Sequence, residues 1–470
     1  MRPTLAILGL LAAAGSATLA GSCGTDLGAL PARCPDGQCP EGYDCINGVC
    51  AEPGTAVPIT VARVGYLLGR DLRVVPQKTS ALVTWQTYAY SSEGESIVGV
   101  RVFPDGSVTR QIVLEDTWIA DAGSLEPYYE PLAVSEDEIL VAIASSPLGD
   151  DPRPRLGVFS AKLPPEGDEG STVTRKNVWG EEVLMSTIGY GAVSTPYFAR
   201  LDGGAVQLGY FQTVSDLSAA EGGGGVGGGG GAGGGGGEEQ SQTLGQLAVF
   251  DLDATGAFLS PPTPCPVDAS DCCPANTCVE ARAGLPLAVG VVGAFPHASG
   301  VTWIIDDTRP SALTLGPSDP QELELPLLSS PLAADESGVL LLEPSARQGD
   351  QLPTDPVEGP ASFGRFSESG TTVLSRLPGV RDTPRPAWFR REGNTAILVT
   401  PGTKLDGPEL IVYTVDETLG DAVEAARIKR FSSLPITAVH VVVVSGKLFV
   451  VWLEQSDNEA VIRAAVLAEP

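Results

Sequence analysis

The sequence is poor in the residues that carry most enzyme chemistry. Its 470 residues include only two histidines, His297 and His440, although histidine is the usual acid, base or metal ligand near neutral pH. His297 lies in a Pro-His-Ala-Ser turn, His440 alternates with valines, and neither has the spacing of a metal site. The G-x-S-x-G motif of serine hydrolases and a phosphate-binding G-K-[ST] motif are also missing. The sequence therefore predicts no catalytic residue and no site for an organic cofactor.

Basic residues are scarce as well. Lys and Arg number 29 against 58 Asp and Glu, which gives a net charge of −29. A negative field of this size repels nucleic acid and anionic lipid headgroups, and it favours cations or basic partners. We therefore expect no nucleic-acid partner.

Long apolar segments are missing beyond the N-terminus. The best candidate, Leu434–Leu453, is interrupted by His440, Ser445, Gly446 and Lys447, whereas a membrane-spanning helix needs ~18 or more apolar residues in a row. We therefore expect the mature body not to be a membrane domain.

The first 22 residues have the order of a secretory signal peptide, with Arg2, then apolar Leu5–Ala14, then small residues in Gly15–Ser22. The run Leu-Ala-Gly-Ser before Cys23 resembles the lipobox of bacterial lipoproteins, in which the cysteine is diacylated and becomes the N-terminus. That family prefers Leu three places before the cysteine, where this sequence has Ala20. The resemblance implies lipidation of Cys23 and a location at the outer membrane or cell surface. Cleavage after Ala20, giving a soluble periplasmic or secreted protein, is the alternative.

The nine cysteines fit an exported protein. Disulfides form in the oxidising compartments through which exported proteins pass. Two groups of four cysteines can each close two local disulfides, which leaves Cys23 for the lipid. Adjacent Cys272 and Cys273 should bond to Cys265 and Cys278, in an order that the sequence leaves open. The two groups are Cys34, Cys39, Cys45 and Cys50, and Cys265, Cys272, Cys273 and Cys278.

Residues 23–56 are predicted to form a tether followed by a small cysteine-rich module. Few apolar residues lie between Cys34 and Cys50, so disulfides must supply the stability of this module. Its cysteine spacing resembles the EGF-like or Dickkopf-like stubs that follow the lipobox in some large Gram-negative lipoproteins. Zinc is the alternative for these cysteines, but structural zinc sites usually take C-x₂₋₄-C pairs in a reducing compartment.

Residues 57–470 are predicted to form an all-β body of repeated units. Short runs of Val, Leu, Ile and aromatic residues alternate with Gly, Pro, Asp and Ser clusters, and helical periodicity is nearly absent. Four-stranded repeats of about 40–50 residues are typical of β-propellers. We therefore expect a propeller-like body with seven blades, and β-sandwich domains are the alternative. The seven strand-like cores are Ala81–Trp85, Ile139–Ile143, Ala205–Phe211, Val301–Ile305, Val339–Leu342, Ala396–Val399 and Leu448–Trp452.

Two insertions lengthen the third unit. The first, residues 221–240, includes Gly222–Gly237, in which only Val226 and Ala232 are not glycine. Such a segment buries no surface and should be disordered. The second, residues 261–281, carries the second cysteine group.

The last unit is one strand short of a blade. Only Glu459–Ala468 follows its core, while Pro58–Val64, near the start of the body, has strand-like composition. An open blade would leave an unpaired edge that recruits other chains. We therefore expect residues 58–64 to pair with the C-terminal blade and close the ring.

One segment matches the start of a calcium-binding loop. Asp251, Asp253 and Thr255 place oxygen ligands at positions one, three and five, and Gly256 follows them. The twelfth position is Pro262 instead of Glu. The same residues make an ordinary hairpin turn, so calcium at this segment is an alternative to a chain without a metal or cofactor.

These features predict a monomeric lipoprotein of the cell envelope, attached to the membrane by its lipid only. We expect it to act as a binding or scaffolding module for a protein or glycan partner. The alternative is an exported polysaccharide hydrolase or lyase with carboxylates at the mouth of a propeller. Acidic pairs such as Asp306-Asp307 are plentiful, but glycoside cleavage depends on the separation of two carboxylates in space, which the sequence does not reveal.

Overall fold

A computed structural model of the chain divides into two compact units, Met1–Val57 and Pro58–Pro470. The structure describes residues 38–42, 44–46, 49–51, 56–64, 72–87, 96–115, 125–146, 154–165, 173–180, 182–185, 194–215, 243–263, 272–282, 290–306, 310–317, 319–326, 329–343, 361–377, 387–390, 395–404, 407–416, 418, 421–430, 432, 434–456 and 459–470. The predicted disordered insertion at residues 221–240 lies outside these ranges. None of the described residues forms a helix. The described part of the chain therefore contains no helix that is long and apolar enough to cross a membrane.

In its described residues, the first unit contains one small antiparallel sheet. Strands β1 (Asp44–Ile46) and β2 (Val49–Ala51) pair with each other, and Cys45 registers with Cys50. A disulfide joins Cys39 to Cys50.

The second unit consists, in its described part, of strand β3 (Ile59–Val64) and the strands of seven antiparallel sheets. Blade 1 contains β4 (Arg73–Pro76), β5 (Ala81–Thr87), β6 (Ser96–Val102) and β7 (Ile112–Glu115). Blade 2 contains β8 (Leu125–Ala133), β9 (Glu138–Ser146), β10 (Arg155–Lys162), β11 (Thr174–Asn177) and β12 (Val183–Leu184). Blade 3 contains β13 (Tyr197–Arg200), β14 (Val206–Ser215), β15 (Thr243–Leu252) and β16 (Thr277–Arg282).

The remaining four sheets repeat the same meander. Blade 4 contains β17 (Gly290–His297), β18 (Gly300–Asp306), β19 (Ser311–Leu315) and β20 (Gln321–Glu324). Blade 5 contains β21 (Ser330–Asp335), β22 (Gly338–Glu343), β23 (Ala361–Ser367) and β24 (Gly370–Leu377). Blade 6 contains β25 (Ala387–Arg390), β26 (Thr395–Lys404), β27 (Gly407–Asp416) and β28 (Ala422–Lys429). Blade 7 contains β29 (Ile436–Val444), β30 (Lys447–Gln455), β31 (Ala460–Ala468) and β3.

The seven sheets form a closed ring. The first strand of each blade contacts the first strand of the next blade, and β29 of blade 7 contacts β4 of blade 1. The first strands therefore surround the axis, and the body is a seven-bladed β-propeller. This confirms the predicted all-β fold, and β-sandwich domains, the alternative from the sequence, are not the arrangement of these sheets.

The N-terminal strand of the body completes the last blade. Strand β3 pairs antiparallel with β31, with Ile59 opposite Ala464 and Val64 opposite Ala460. The prediction that residues 58–64 close the ring is confirmed. The edge of β31, which would otherwise offer free N–H and C=O groups to other chains, is covered by this strand.

Apolar side chains fill the spaces between neighbouring blades. Each cluster of buried residues draws on two adjacent sheets, as where Trp85 of blade 1 packs with Phe449 of blade 7. The second strand of every blade is packed on both faces, and β30 is buried from Leu448 to Glu454. The backbone at Gly209 lies directly against the Trp303 ring, and a Cβ added there would lie 2.3 Å from it.

Candidate functional site

Polar side chains from four consecutive blades meet at the innermost strands. Arg73 lies on β4, Glu130 on β8, Tyr197 on β13 and His440 on β29. Each residue stands three or four positions before the last residue of its strand, so the four lie at a similar level along the axis. We call Arg73, Glu130, Tyr197 and His440 the inner polar cluster.

An ion pair forms the centre of the inner polar cluster. Arg73 Nε donates to Glu130 Oε2 at 2.6 Å, and the two side chains are only 16% and 13% exposed. Arg73 Nη1 also donates to the backbone carbonyl of Leu72 at 3.0 Å. The guanidinium is therefore fixed between blades 1 and 2.

The protonation states of the cluster follow from burial and from this ion pair. Burial raises the pKa of Glu130, although Arg73 acts in the opposite direction. Burial and then the negative charge of Glu130 raise the pKa of Tyr197. Burial and then the positive charge of Arg73 lower the pKa of His440 to about 3, although the carbonyl of Leu72 accepts a hydrogen bond from its ring. At neutral pH the phenol is therefore protonated and the imidazole is neutral.

A second polar network lies in the closing blade and in the segment that leads into it from blade 6. Glu454 is almost fully buried and accepts hydrogen bonds from Trp452 Nε1 at 2.9 Å and Arg430 Nε at 3.1 Å. Arg463 Nε donates to the other carboxylate oxygen at 3.4 Å, and its Nη1 donates to Thr60 Oγ1 of β3. Burial alone would raise the pKa of Glu454, but these donors lower it below the usual range. The network therefore ties β3, β30 and β31 together.

The three calcium candidates lie on one hairpin of blade 3. Asp253 Oδ1 accepts hydrogen bonds from Thr255 N at 2.8 Å, Thr255 Oγ1 at 2.7 Å and Ala257 N at 3.1 Å. Asp251 Oδ1 accepts one from Gln207 Nε2 at 2.8 Å. Asp105 makes the same turn contacts with Ser107 in blade 1, so this arrangement recurs as a turn of the repeat.

The described residues do not form a metal centre from His, Cys, Asp or Glu side chains. No group of three or more His, Cys, Asp or Glu side chains lies close enough together there to hold an ion. His297, the other histidine, has Nε2 2.9 Å from Thr302 Oγ1 and Nδ1 2.9 Å from Ser299 Oγ. Both of its ring nitrogens are thus occupied by hydroxyls of its own hairpin.

The predicted modified and disulfide-forming cysteines are only partly described. Cys23, Cys34 and Cys265 lie outside the described residues. Cys273 is bonded to Cys278, and Cys272 is also disulfide-bonded. Lipidation of Cys23 and the complete disulfide pattern therefore stay predictions.

Sequence reasoning missed most of the inner polar cluster. It placed His440 on a strand face, and the structure puts this residue on β29. Arg73, Glu130 and Tyr197 occur singly in three different repeats, and no short motif marks them. The signal that would have found them is their shared position just before the first turn of each repeat.

Comparisons with protein families and with curated proteins give no match. Among solved structures, Pyrococcus horikoshii acylaminoacyl peptidase matches 87% of this chain at 10% identity, with a TM-score of 0.42. The chain spans about half of that enzyme's length, 52%. The β-propeller domain of the Trilobed protease from Pyrococcus furiosus matches 88% of this chain and 97% of its own, at 7% identity and a TM-score of 0.41. The polysaccharide lyase Uly1 matches 86% of this chain and 90% of its own, at 10% identity and a TM-score of 0.45. At such values the likeness concerns the fold alone, and nothing about function follows from it.

Proposed function

We propose that this chain is an exported lipoprotein, anchored in the cell envelope through Cys23, whose propeller binds a protein or glycan partner. It acts by binding or scaffolding, not by catalysis. The observation that carries the binding part of this proposal is the inner polar cluster, with its Arg73–Glu130 ion pair at 2.6 Å.

Two ionisable groups of the cluster, Tyr197 and His440, are held in states that suit hydrogen bonding better than proton transfer. The raised pKa of Tyr197 keeps its proton on the phenol, and an imidazole with a pKa of about 3 is a weak base. Within the described part of the chain, Glu130 is the one carboxylate of the cluster, and it is paired with Arg73. Glycoside hydrolysis needs a second carboxyl group about 5–9.5 Å from the first.

Export and anchoring rest on the N-terminal sequence. A signal peptide of ordinary composition ends in small residues before Cys23, and the other eight cysteines divide into two local groups of four. Replacing Cys23 by Ser should move the mature protein from the detergent-rich to the aqueous phase after detergent phase separation. A wild-type protein that is already in the aqueous phase would contradict lipid anchoring.

Binding and catalysis are separated by two measurements on the mature chain. Affinity electrophoresis detects glycan binding, because a protein that binds a soluble polysaccharide in the gel migrates more slowly. Cross-linking in envelope preparations detects a protein partner. New reducing ends or unsaturated products measure cleavage. We expect binding without cleavage. Cleavage that is lost in Glu130→Gln would instead favour the exported hydrolase or lyase.

A further inference from the structure

Two polar atoms of the inner polar cluster, the Tyr197 hydroxyl and one ring nitrogen of His440, make no hydrogen bond with a described residue. The ring of His440 makes one hydrogen bond, to the carbonyl of Leu72. Both side chains are partly exposed. Neither the Tyr197 hydroxyl nor the second His440 nitrogen is a buried atom without a partner, so both are open to an external partner, and a hydrogen bond to each is the contact that the cluster offers.

The charge of the cluster restricts what this partner is. Arg73 and Glu130 neutralise each other at 2.6 Å, and Tyr197 and His440 carry no charge at neutral pH. A net anion would meet the buried carboxylate of Glu130, and a net cation would meet the guanidinium of Arg73. Placing an unpaired charge in such a site carries a large desolvation penalty, so a neutral ligand fits best.

The hydrogen-bonding groups of the cluster restrict the ligand further. The phenol hydroxyl both donates and accepts, and a neutral imidazole offers either function at its free nitrogen. The phenol ring also presents an apolar face next to these polar groups. A ligand that matches them carries several neighbouring hydroxyl groups on a partly apolar frame, as a sugar ring does.

We infer that the inner polar cluster binds a neutral saccharide unit, whose hydroxyls hydrogen-bond to Tyr197 and His440 beside the Arg73–Glu130 ion pair. This inference rests on the proposed binding function and selects the glycan as the partner. Tyr197 and His440 lie on strands of blades 3 and 7, so the saccharide lies across four adjacent inner strands at the axis.

Isothermal titration calorimetry on the full mature chain tests the assignment. The probes are cellotetraose, mannotetraose and chitotetraose as neutral saccharides, and trigalacturonate as an acidic one. Tyr197→Phe removes only the unpartnered hydroxyl, so the melting temperature should stay unchanged. The affinity for a neutral probe should fall about tenfold, the usual effect of one lost hydrogen bond.

Tyr413→Phe serves as the matched control, because Tyr413 lies on β27 of blade 6, outside the cluster. Binding of a neutral saccharide that Tyr197→Phe weakens and Tyr413→Phe leaves unchanged supports the inference. Stronger binding of trigalacturonate, equal loss in both variants, or no binding of any probe overturns it. If no saccharide binds, the inference fails, but the proposed function is still tested separately by phase separation and cross-linking. Failure of the inference and failure of the proposed function are therefore distinguishable.

Discussion

The buried ion pair between Arg430 and Glu454 allows the contribution of buried charges to the stability of the propeller to be measured. Arg430 Nε lies 3.1 Å from Glu454 Oε1, and each side chain is only 2% exposed. Glu454→Leu would leave the guanidinium buried without its partner and would also remove the acceptor for Trp452 Nε1. Breaking a buried pair from one side costs about 3–5 kcal/mol. We therefore expect the free energy of unfolding to fall by about 4 kcal/mol in this variant.

Removing both charges should restore most of the free energy of unfolding that Glu454→Leu loses. Burial lowers the pKa of the Arg430 guanidinium even with Glu454 beside it, so desolvation outweighs attraction on that side of the pair. Replacing a buried ion pair by apolar residues of similar size is often neutral or stabilising. The double variant Arg430→Met/Glu454→Leu should therefore unfold within about 1–2 kcal/mol of the wild type.

An exposed pair in the same blade supplies the control. Arg63 and Glu459 are 2.7 Å apart, but their side chains are 66% and 49% exposed. Exposed ion pairs contribute about 0–1 kcal/mol, so Glu459→Leu should change stability by less than about 1 kcal/mol.

Urea unfolding followed by tryptophan fluorescence measures all four proteins. The midpoints should shift while the slopes stay equal, as expected for a change in stability alone. The pKa of Glu454 is lowered in the fold from its ordinary 4.5. Its contribution is therefore present above pH 4.5 and is lost as the pH falls through the folded pKa. If Glu454→Leu costs no more than Glu459→Leu, the reasoning from burial is wrong.

Three further predictions concern the ring and its interior. Gly209→Ala should lower stability by about 1–3 kcal/mol, because the added methyl overpacks the Trp303 ring; differential scanning calorimetry measures this. Exchanging Ile59–Val64 for a Gly/Ser segment of equal length should lower the free energy of unfolding by several kcal/mol, because a strand ladder and its packed face are lost; an unchanged urea midpoint would contradict it. His440 stays neutral in the fold, since its pKa is lowered from 6.5 to about 3. Stability should therefore be complete above pH 6.5 and fall on the order of 2 kcal/mol by pH 5. His440→Gln should lack this part of the pH dependence of the urea midpoint.

The repeat could be predicted from the sequence because of how propeller blades pack. The second strand of each blade is covered on both faces by neighbouring blades, so it appears as a mostly apolar run, with single polar residues such as Thr84 and Gln207, instead of an alternating one. All seven predicted cores, from Ala81–Trp85 to Leu448–Trp452, lie on these second strands or reach one residue before them. The closing strand could be predicted for a related reason, since a three-stranded last blade would leave an edge unpaired.

The inner polar cluster could not be predicted in this way. Arg73 and Tyr197 lie on strands of only four residues each, and their neighbourhood depends on the register of separate blades. Asp253 shows a different limit. The same spacing of oxygen atoms describes a calcium loop and a hairpin turn. Asp253 makes the contacts of the turn with Thr255 and Ala257, and calcium binding at this segment stays a prediction.

The inner polar cluster crosses the joint at which the ring closes. His440 belongs to blade 7, whereas Arg73, whose charge lowers its pKa, belongs to blade 1. Blade 7 is complete only when β3 pairs with β31, where Arg463 donates to Thr60, 403 positions away in the chain. The packing that holds β29 against β4 includes Ala62 and Val64 of β3. The geometry of the cluster therefore depends on ring closure, and a ligand that contacts both His440 and Tyr197 binds the closed ring in preference to an opened one. By mass action, such a ligand at a hundred times its Kd stabilises the closed state by about 2.7 kcal/mol.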